Sequence, residues 1–157
     1  DFEQQSVQAF RYSLDLGLTA PFVMCQELVK DAPDGEGIVV LCGSIYGLVA
    51  PAMSLYEGIQ GAVVGPAGYS ATKGGVLSLT RHLASVMAPK FRVNALIPGG
   101  LERGQPKEFI DRYAKRTLAG RMGTEDDLSG AIAFLCSGMS SYMTGQSLIV
   151  DGGFTSV

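Results

Sequence analysis

Three short runs rich in Val, Ile and Leu, set apart by longer stretches with helical spacing, most constrain how this chain can fold. The runs cover residues 38–42, 92–97 and 147–150, and glycine, proline or aspartate follows each of them. Strands that alternate with helices form parallel sheets, and a continuous apolar run suits a strand that is buried on both faces. The pattern therefore predicts a parallel α/β sheet, and 157 residues suffice for a single domain over residues 1–157.

Apolar residues at three- and four-residue spacing predict the helices. They are expected over residues 6–30, 68–88, 106–117 and 124–137. Gly17 and Pro21 interrupt the first helix, so we expect a bend there, with Thr19 able to cap the helix where it restarts. Thr124 is followed by three acidic residues. This is a favourable helix start, because carboxylates stabilise the positive end of the helix dipole.

Two long segments are predicted to be irregular. Residues 45–66 contain glycines and prolines without regular spacing, and residues 101–123 are polar and interrupted by glycine, which suggests a lid around the short helix. A turn is expected over residues 31–37, which are rich in Asp, Pro and Gly. Loops longer than about 15 residues inside a compact domain are usually functional, so we expect the first segment to lie near a site.

Charge and hydropathy exclude several kinds of partner. The net charge is −3 and the basic residues do not cluster. The chain therefore lacks the electrostatic pattern of a protein that binds nucleic acid or an anionic membrane. No apolar run is long enough for a membrane span, and the first five residues do not resemble a signal peptide. Because the chain begins with Asp1 rather than methionine, we expect that something precedes it.

The cysteines Cys25, Cys42 and Cys136 are odd in number, scattered and surrounded by apolar residues. They form no C-x-x-C pair, and the single histidine, His82, cannot complete a metal site with them. We therefore expect no metal site, and thiols that are buried and reduced. His82, on the helix after Lys73, is expected to face solvent or a subunit contact. Reduced thiols are typical of a cytoplasmic protein.

Tyr69 and Lys73 stand four residues apart at the start of the second predicted helix, so their side chains share one helix face. A free phenol has a pKa of about 10, but an ammonium group beside a phenol favours the phenolate, which general acid–base catalysis near neutral pH requires. The positive end of the helix dipole acts in the same direction. Ser44, just after the first strand, can hold the carbonyl oxygen that the tyrosine protonates. Ligands bind at the C-terminal ends of parallel strands, where Ser44, Tyr69, Pro98 and Gly99 fall.

A Tyr-x-x-x-Lys pair also occurs on helix surfaces as an ordinary contact, so the pair alone does not identify chemistry. Six motifs in order contain or surround it: residues 38–44 (IVVLCGS), 69–75 (YSATKGG), 92–99 (RVNALIPG), 120–124 (GRMGT), 144–146 (TGQ) and 151–153 (DGG). Together they resemble the successive landmarks of the short-chain dehydrogenase/reductase family. The resemblance covers nearly the whole chain.

This resemblance implies a doubly wound, Rossmann-like parallel sheet and a cofactor that is NAD or NADP. It implies that Tyr69 is the catalytic acid–base, that Lys73 favours the phenolate and contacts the nicotinamide ribose, and that Ser44 orients the substrate. Tyr69 and Lys73 would therefore also contact the cofactor. The segment expected to line the nicotinamide pocket is Pro98, Gly99, Gly100 and Leu101.

The resemblance also implies an oligomer. In this family the helices that correspond to residues 6–30 and 68–88 build the main subunit interface, so we expect a homodimer or homotetramer. These helices carry apolar residues that we expect to pack against symmetry mates, namely Phe10, Phe22, Leu83 and Met87. The strand at residues 38–42 would form an open edge of the sheet, which also favours pairing with another chain.

The chain departs from the family pattern at three points. It contains no G-x-x-x-G-x-G turn, so only the C-terminal part of the fold is expected, without the N-terminal βαβ unit that binds the dinucleotide phosphates. Gly17 aligns with an asparagine that anchors a proton-relay water in the family. Ser44 and Tyr69 are 25 positions apart, about twice the usual spacing. The loop between them, with Tyr46 and Tyr56, should therefore lie over the substrate.

The predicted function is hydride transfer between NAD(P) and a carbonyl or secondary alcohol, including that of a sugar. The long loop is similar to family members associated with bacterial surface-sugar biosynthesis. One alternative is a 3-oxoacyl-thioester reductase of fatty-acid type. Another is a non-catalytic fragment or structural subunit that cannot hold a cofactor. The absent phosphate turn favours the latter for the isolated chain, whereas Ser44, Tyr69 and Lys73 favour an active parent protein.

Overall fold

A three-stranded parallel sheet forms the centre of the computed structural model, which describes residues 2–32 and 34–157. The strands are β1 (Gly37–Cys42), β2 (Phe91–Pro98) and β3 (Ser147–Val150), in the order β1-β2-β3. Each bound lies within one residue of its predicted run. The sequence-based expectations for Asp1 and for Pro33, within the predicted turn, lie outside the described residues.

Five α-helices surround this sheet in the described part of the chain. They are α1 (Val7–Leu14), α2 (Ala20–Asp31), α3 (Ala67–Met87), α4 (Lys107–Lys115) and α5 (Asp126–Leu135). The segment between Ser44 and Tyr69 contains only two short 3₁₀ turns before α3 begins, which confirms the predicted irregular loop.

Side chains of β2 alternate between the two faces of the sheet, as the period of a strand requires. Phe91 and Val93 are buried against α3. Arg92 points the other way, and its guanidinium donates to the carbonyl oxygens of Leu135 and Ser137 at the end of α5. A cation at this position stabilises the negative end of the helix dipole. Helices therefore cover both faces of the sheet.

The first predicted helix is α1 and α2 joined by a π-helical turn, Asp15–Thr19. The chain stays helical through this turn, so the expectation that Thr19 caps a restart is wrong. The Thr19 hydroxyl instead donates to the Asp15 carboxylate at 3.3 Å. Gly17 is explained by close packing, because a Cβ atom at this position would collide with Thr72 Cγ2 on α3.

The first turn of α5 contains the predicted carboxylates Asp126 and Asp127, while Glu125 occupies the N-cap position without a side-chain cap bond. The Thr124 amide and hydroxyl both donate to Asp127 Oδ2, at 2.8 and 3.0 Å. The Arg121 guanidinium donates to both oxygens of the same carboxylate. The hydrogen bond from Arg121, followed by those from Thr124, holds the pKa of Asp127 well below its usual range.

The buried apolar residues form two groups, which we name the helix cluster and the loop cluster. The helix cluster is Cys25, Leu41, Val76, Leu83, Ala84, Met87, Phe91 and Val93. The loop cluster is Ile45, Leu55, Ile59, Ala95, Ile97, Phe109, Tyr113, Met122 and Phe154. Leu83 and Met87 therefore pack inside this chain, and the expectation that they face a symmetry mate is wrong. Phe10 and Phe22, by contrast, are exposed.

The three cysteines do not share one environment. Cys25 is buried, and burial raises the pKa of its thiol. Cys42 and Cys136 are exposed, so the expectation of three buried thiols is wrong for these two. Leu41 points into the helix cluster, and the alternation along β1 turns the next residue, Cys42, to the other face. Cys136 immediately follows the end of α5. In the described part of the chain, no helix combines the length and apolar character needed to span a membrane.

Candidate active site

A cavity of about 580 Å³ opens at the C-terminal ends of β1 and β2. Every residue that the sequence assigned to a catalytic, cofactor or substrate role lines it. These residues are Ser44, Tyr46, Tyr56, Tyr69, Lys73, Pro98, Gly99, Gly100 and Leu101. Side chains separated by up to 57 positions in sequence thus meet in one place, which is the outcome expected for a parallel sheet.

Tyr69 and Lys73 lie on the first turns of α3 and face the cavity together. Lys73 Nζ is 5.6 Å from the centroid of the Tyr69 ring, within the range of a cation–π contact. The same Nζ donates to the Cys42 carbonyl oxygen at 2.7 Å. The ammonium group is therefore fixed between the end of β1 and the tyrosine ring, while Tyr69 remains 37% exposed and open to a ligand.

Ser44 begins the 3₁₀ turn that follows β1 and is buried. Its Oγ accepts a hydrogen bond from the Tyr46 amide at 3.2 Å. Among the described residues this is the bond that the hydroxyl makes, so its proton is available to a ligand oxygen. The turn packs directly on α3, because a Cβ atom at Gly47 would lie 2.5 Å from the Lys73 carbonyl oxygen. This close approach fixes Ser44 relative to the helix that carries Tyr69 and Lys73.

Tyr46 and Tyr56 form the wall of the cavity that the loop contributes. Their hydroxyl oxygens are 2.6 Å apart, so one donates to the other. Burial, followed by this hydrogen bond, raises the pKa of Tyr46 above its usual value. Tyr46 therefore stays a neutral phenol at neutral pH and presents hydrogen-bonding groups without charge.

The segment after β2 approaches its neighbours too closely for any side chain at two positions. A Cβ atom at Gly99 would lie 2.8 Å from Asp151 Cα, and one at Gly100 would lie 2.7 Å from Tyr113 Cζ. The Gly99 amide donates to Val150, and the Gly100 amide donates to the Tyr113 hydroxyl at 2.5 Å. The predicted nicotinamide-pocket segment is thus held rigidly at the end of the sheet.

Tyr113 is a residue that the sequence analysis missed. It lies on α4 and is 2% exposed, and burial raises its pKa to about 12 despite the opposing effect of the Gly100 amide. Tyr113 also stacks on Phe154, with 4.9 Å between ring centroids. The available signal is the pair of aromatic residues four apart, Phe109 and Tyr113, which share one helix face.

Two further parts of the site were not predicted: the Cys42 carbonyl that binds Lys73, and Arg103, which lines the cavity from the lid. No sequence pattern marks either one, because a backbone acceptor has no signature and Arg103 stands in a polar loop. His82 is exposed on α3, away from the cavity, as predicted. Across residues 2–32 and 34–157, no group of His, Cys, Asp and Glu side chains could hold a metal ion.

Comparison with known proteins places this arrangement in a family. A family model described as enoyl-(acyl carrier protein) reductase matches residues 1–155. The 3-oxoacyl-(acyl-carrier-protein) reductase FabG of Aquifex aeolicus is 30% identical over 158 residues, which is 97% of this chain and 59% of that protein. The chain belongs to the short-chain dehydrogenase/reductase family. Among other members, the L-rhamnose 1-dehydrogenase (NAD(P)(+)) of Azotobacter vinelandii is 37% identical over 124 residues, 74% of this chain and 44% of that protein.

The family fold is equally clear from solved structures. A short-chain dehydrogenase from Leptospira borgpetersenii, solved with bound NAD+, matches with a TM-score of 0.88 and 37% identity. The match covers 98% of this chain and 59% of that one. The three-stranded sheet is thus part of a Rossmann-like, doubly wound parallel α/β fold, as predicted. The chain spans about half the length of the curated family members that it matches.

Proposed function

We propose that this member of the short-chain dehydrogenase/reductase family transfers a hydride between NAD or NADP and a carbonyl or secondary alcohol. The observation that carries the proposal is the position of the Lys73 ammonium group. It lies between the Tyr69 ring and the Cys42 carbonyl oxygen, in a cavity that Ser44 also lines. An acid–base tyrosine requires a phenol proton that a ligand can reach and a cation close to the phenol, and this cavity provides both.

The residues present fit the nicotinamide and ribose end of such a cofactor. Lys73 offers ammonium donors to ribose hydroxyls, and the segment Pro98–Leu101 comes close enough to line a flat ring because Gly99 and Gly100 carry no side chain. When bound, the nicotinamide ring accepts or supplies the hydride. The sequence contains no G-x-x-x-G-x-G turn for the pyrophosphate, so we assign only the nicotinamide half of the site to this chain.

Three side chains of this chain supply substrate orientation, proton transfer and charge stabilisation. Ser44 donates a hydrogen bond from its hydroxyl to the oxygen of the substrate, keeps its proton, and holds that oxygen near Tyr69. Tyr69 gives a proton to the oxygen during reduction and takes it back during oxidation. Lys73 stabilises the phenolate that remains after reduction, and its bond to Cys42 prevents it from turning away. Preorganised donors of this kind lower the barrier because they need no rearrangement during the reaction.

For the substrate, we propose a polyhydroxylated compound such as a sugar, in line with the resemblance to members of bacterial surface-sugar biosynthesis. The hydrogen-bonded, half-buried Tyr46 and Tyr56 pair supports this, because a site built to hydrogen-bond substrate hydroxyls rejects analogues that lack them. The identity to an L-rhamnose dehydrogenase supports it as well. The competing substrate is a 3-oxoacyl thioester, which the match to the Aquifex reductase favours.

Steady-state kinetics of the full-length gene product test the proposal. Tyr69→Phe deletes only the transferable proton, so we expect turnover to fall by a factor of about 10² to 10⁴ while the fold stays intact. Tyr142→Phe is the matched control, because Tyr142 is fully exposed. Activity of Tyr69→Phe within about tenfold of wild type would remove Tyr69 from its role. The rate of sugar oxidation is compared with the rate of 3-oxoacyl-thioester reduction. A faster sugar oxidation would favour a sugar as the substrate.

We further propose that the protein forms a homodimer or homotetramer through the outer faces of α1 and α2. The support is a set of exposed apolar side chains on these helices and on the π-helical turn between them: Phe10, Tyr12, Leu16, Phe22, Val23 and Met24. Leu83 and Met87 on α3 are not part of this proposed interface, since they are buried inside the chain. Light scattering at micromolar concentration tests this, and a monodisperse monomer would contradict it.

A further inference from the structure

The cavity is positively charged, although the chain as a whole carries a net charge of −3. Among the described residues that line it, the charged side chains are Lys73 and Arg103, and no carboxylate lines it. A cavity with charges of one sign and low-dielectric walls concentrates ligands of the opposite sign. Lys73 is already used at the Tyr69 end, so Arg103 is the second cationic group of the cavity; its Nε forms an ion pair with the exposed Glu125 outside the cavity lining.

Arg103 stands where two cavities meet. It lines the 580 Å³ cavity described above and a neighbouring cavity of about 430 Å³ between the loop at residues 61–63 and the segment at 103–106. Tyr56 also lines both cavities. A substrate whose reacting carbon lies near Tyr69 can therefore extend past Tyr56 towards the guanidinium group.

The guanidinium group is positioned but not saturated. The Arg103 amide donates to Gln105 Oε1, and its Nε donates to Glu125 Oε1, both at 2.7 Å. Gln105 is held in turn by its bond to the Leu101 carbonyl. These contacts use the backbone and Nε of Arg103 and leave both terminal nitrogens, Nη1 and Nη2, without a partner among the described residues.

Other arginines of the lid differ in this respect. Arg121 donates from both terminal nitrogens to the two oxygens of Asp127. Arg112 donates from Nη1 to the Ser54 and Glu57 carbonyls and from Nη2 to Glu108. Two parallel N–H groups of an arginine match the two oxygens of a carboxylate. Arg116 lies over the Phe154 ring and borders a separate cavity. Among the described residues, Arg103 is the lid arginine that lines the cavity containing Tyr69.

We propose that Arg103 binds a carboxylate group of the substrate, so that the substrate class is hydroxy acids and the corresponding oxo acids. This rests on the proposed hydride-transfer function and narrows it. The reacting carbon lies between Ser44 and Tyr69, the Tyr46–Tyr56 pair contacts the hydroxyl groups between, and Arg103 holds the carboxylate at the far end. A sugar acid carries all three features.

The first experiment compares an acid with its uncharged amide. Oxidation of gluconate and of gluconamide is measured for the full-length gene product, for Arg103→Gln, and for Arg103→Lys, which keeps the charge. Arg81→Gln is the control, since Arg81 is exposed on α3 and lines neither cavity. We expect wild type to prefer the acid by at least tenfold in kcat/KM, Arg103→Gln to lose at least tenfold of this preference through KM, and Arg103→Lys to restore part of it.

The second experiment needs no turnover. Calorimetry measures the binding of tartrate, a dicarboxylate, to wild type and to the same variants. We expect Arg103→Gln to bind tartrate at least tenfold more weakly, with Arg81→Gln unchanged. If neither gluconate nor gluconamide is oxidised but tartrate binding depends on Arg103, the carboxylate site stands and the proposed hydride transfer fails.

Three results would overturn the carboxylate site. The first is tartrate binding that is absent in wild type or equal in Arg103→Gln. The second is an unchanged preference for gluconate over gluconamide in Arg103→Gln. The third is a rise in KM for NAD or NADP without one for gluconate, which would assign the Arg103 guanidinium to the phosphates of the cofactor.

Discussion

The helix cluster and the loop cluster each contain residues of β2, but they differ in position: one lies beneath α3 and the other borders the cavity. Phe91 and Val93 of β2 belong to the helix cluster, whereas Ala95 and Ile97 belong to the loop cluster. The helix cluster consists of regular elements and forms the support beneath α3. The loop cluster joins the two long irregular segments and borders the cavity. Under the proposed function, the acid–base pair lies on a regular helix and the substrate contacts come from loops, an arrangement by which one fold serves many substrates.

The largest expected effect concerns Lys73 on α3, which we propose acts both on Tyr69 and on the cofactor. Lys73→Met should lower turnover by at least about 100-fold and also weaken cofactor binding, because it removes the cation beside Tyr69 and a ribose contact together. Cofactor fluorescence and steady-state kinetics measure the two losses. Lys115→Met, on an exposed position of α4, is the control. A change in turnover without a change in cofactor affinity would separate Lys73 from the ribose.

The helix cluster itself should be sensitive to cavities. Leu83→Ala should lower the free energy of unfolding by about 2 to 5 kcal/mol, because Leu83 is 3% exposed and packs in this cluster. Val86→Ala on the same helix should change it by less than about 0.5 kcal/mol, since Val86 is 61% exposed. Urea unfolding of both variants checks this. Equal losses would mean that the outer face of α3 is covered, and the subunit-interface hypothesis for this helix would regain support.

A smaller effect tests why glycine stands at position 17. Gly17→Ala should lower the free energy of unfolding by about 1 to 2 kcal/mol, because the new Cβ meets Thr72 Cγ2 and this overpacking exceeds the gain in helix propensity. Thr72→Ser removes that methyl group but keeps the hydroxyl that donates to the Ser13 carbonyl. The double variant should therefore recover most of the loss. No recovery would show that packing against Thr72 is not the reason for the glycine.

The smallest effect concerns alkaline pH and the loop cluster. The folded protein raises the pKa of Tyr113 to about 12, so its protonated form stabilises the fold fully below the unfolded pKa of about 10. This contribution is lost as pH rises towards 12, by about 1.4 kcal/mol at pH of about 11. Tyr113→Phe should lack this loss, whereas Tyr142→Phe should keep it. Urea unfolding at several pH values decides, and an identical alkaline loss in both variants would contradict the assignment.

The contrast between regular elements and irregular loops also explains which features the sequence predicts well. All three strands and α3 lie within one residue of their predicted bounds, because their periodicity and flanking turn residues are local signals. Every predicted site residue lines one cavity, both those inside the six motifs and those predicted from the loop or from the segment after β2. The orientation of Leu83 and Met87, the partner of Gly17 and the roles of Tyr113 and Arg103 were missed or wrong. Each depends on contacts between segments distant in sequence, and no local spacing encodes them.

The central claim is that Ser44, Tyr69 and Lys73 form a hydride-transfer site, and it is tested most directly by following the hydride. The full-length gene product is incubated with NAD or NADP and a panel of sugars, sugar acids and simple secondary alcohols, each deuterated at the reacting carbon. Mass spectrometry then measures deuterium in the cofactor. We predict that the reduced cofactor carries the deuterium in wild type and that Ser44→Ala slows its appearance by at least about tenfold. Reduced cofactor without deuterium, or none formed with any member of the panel, would contradict the account.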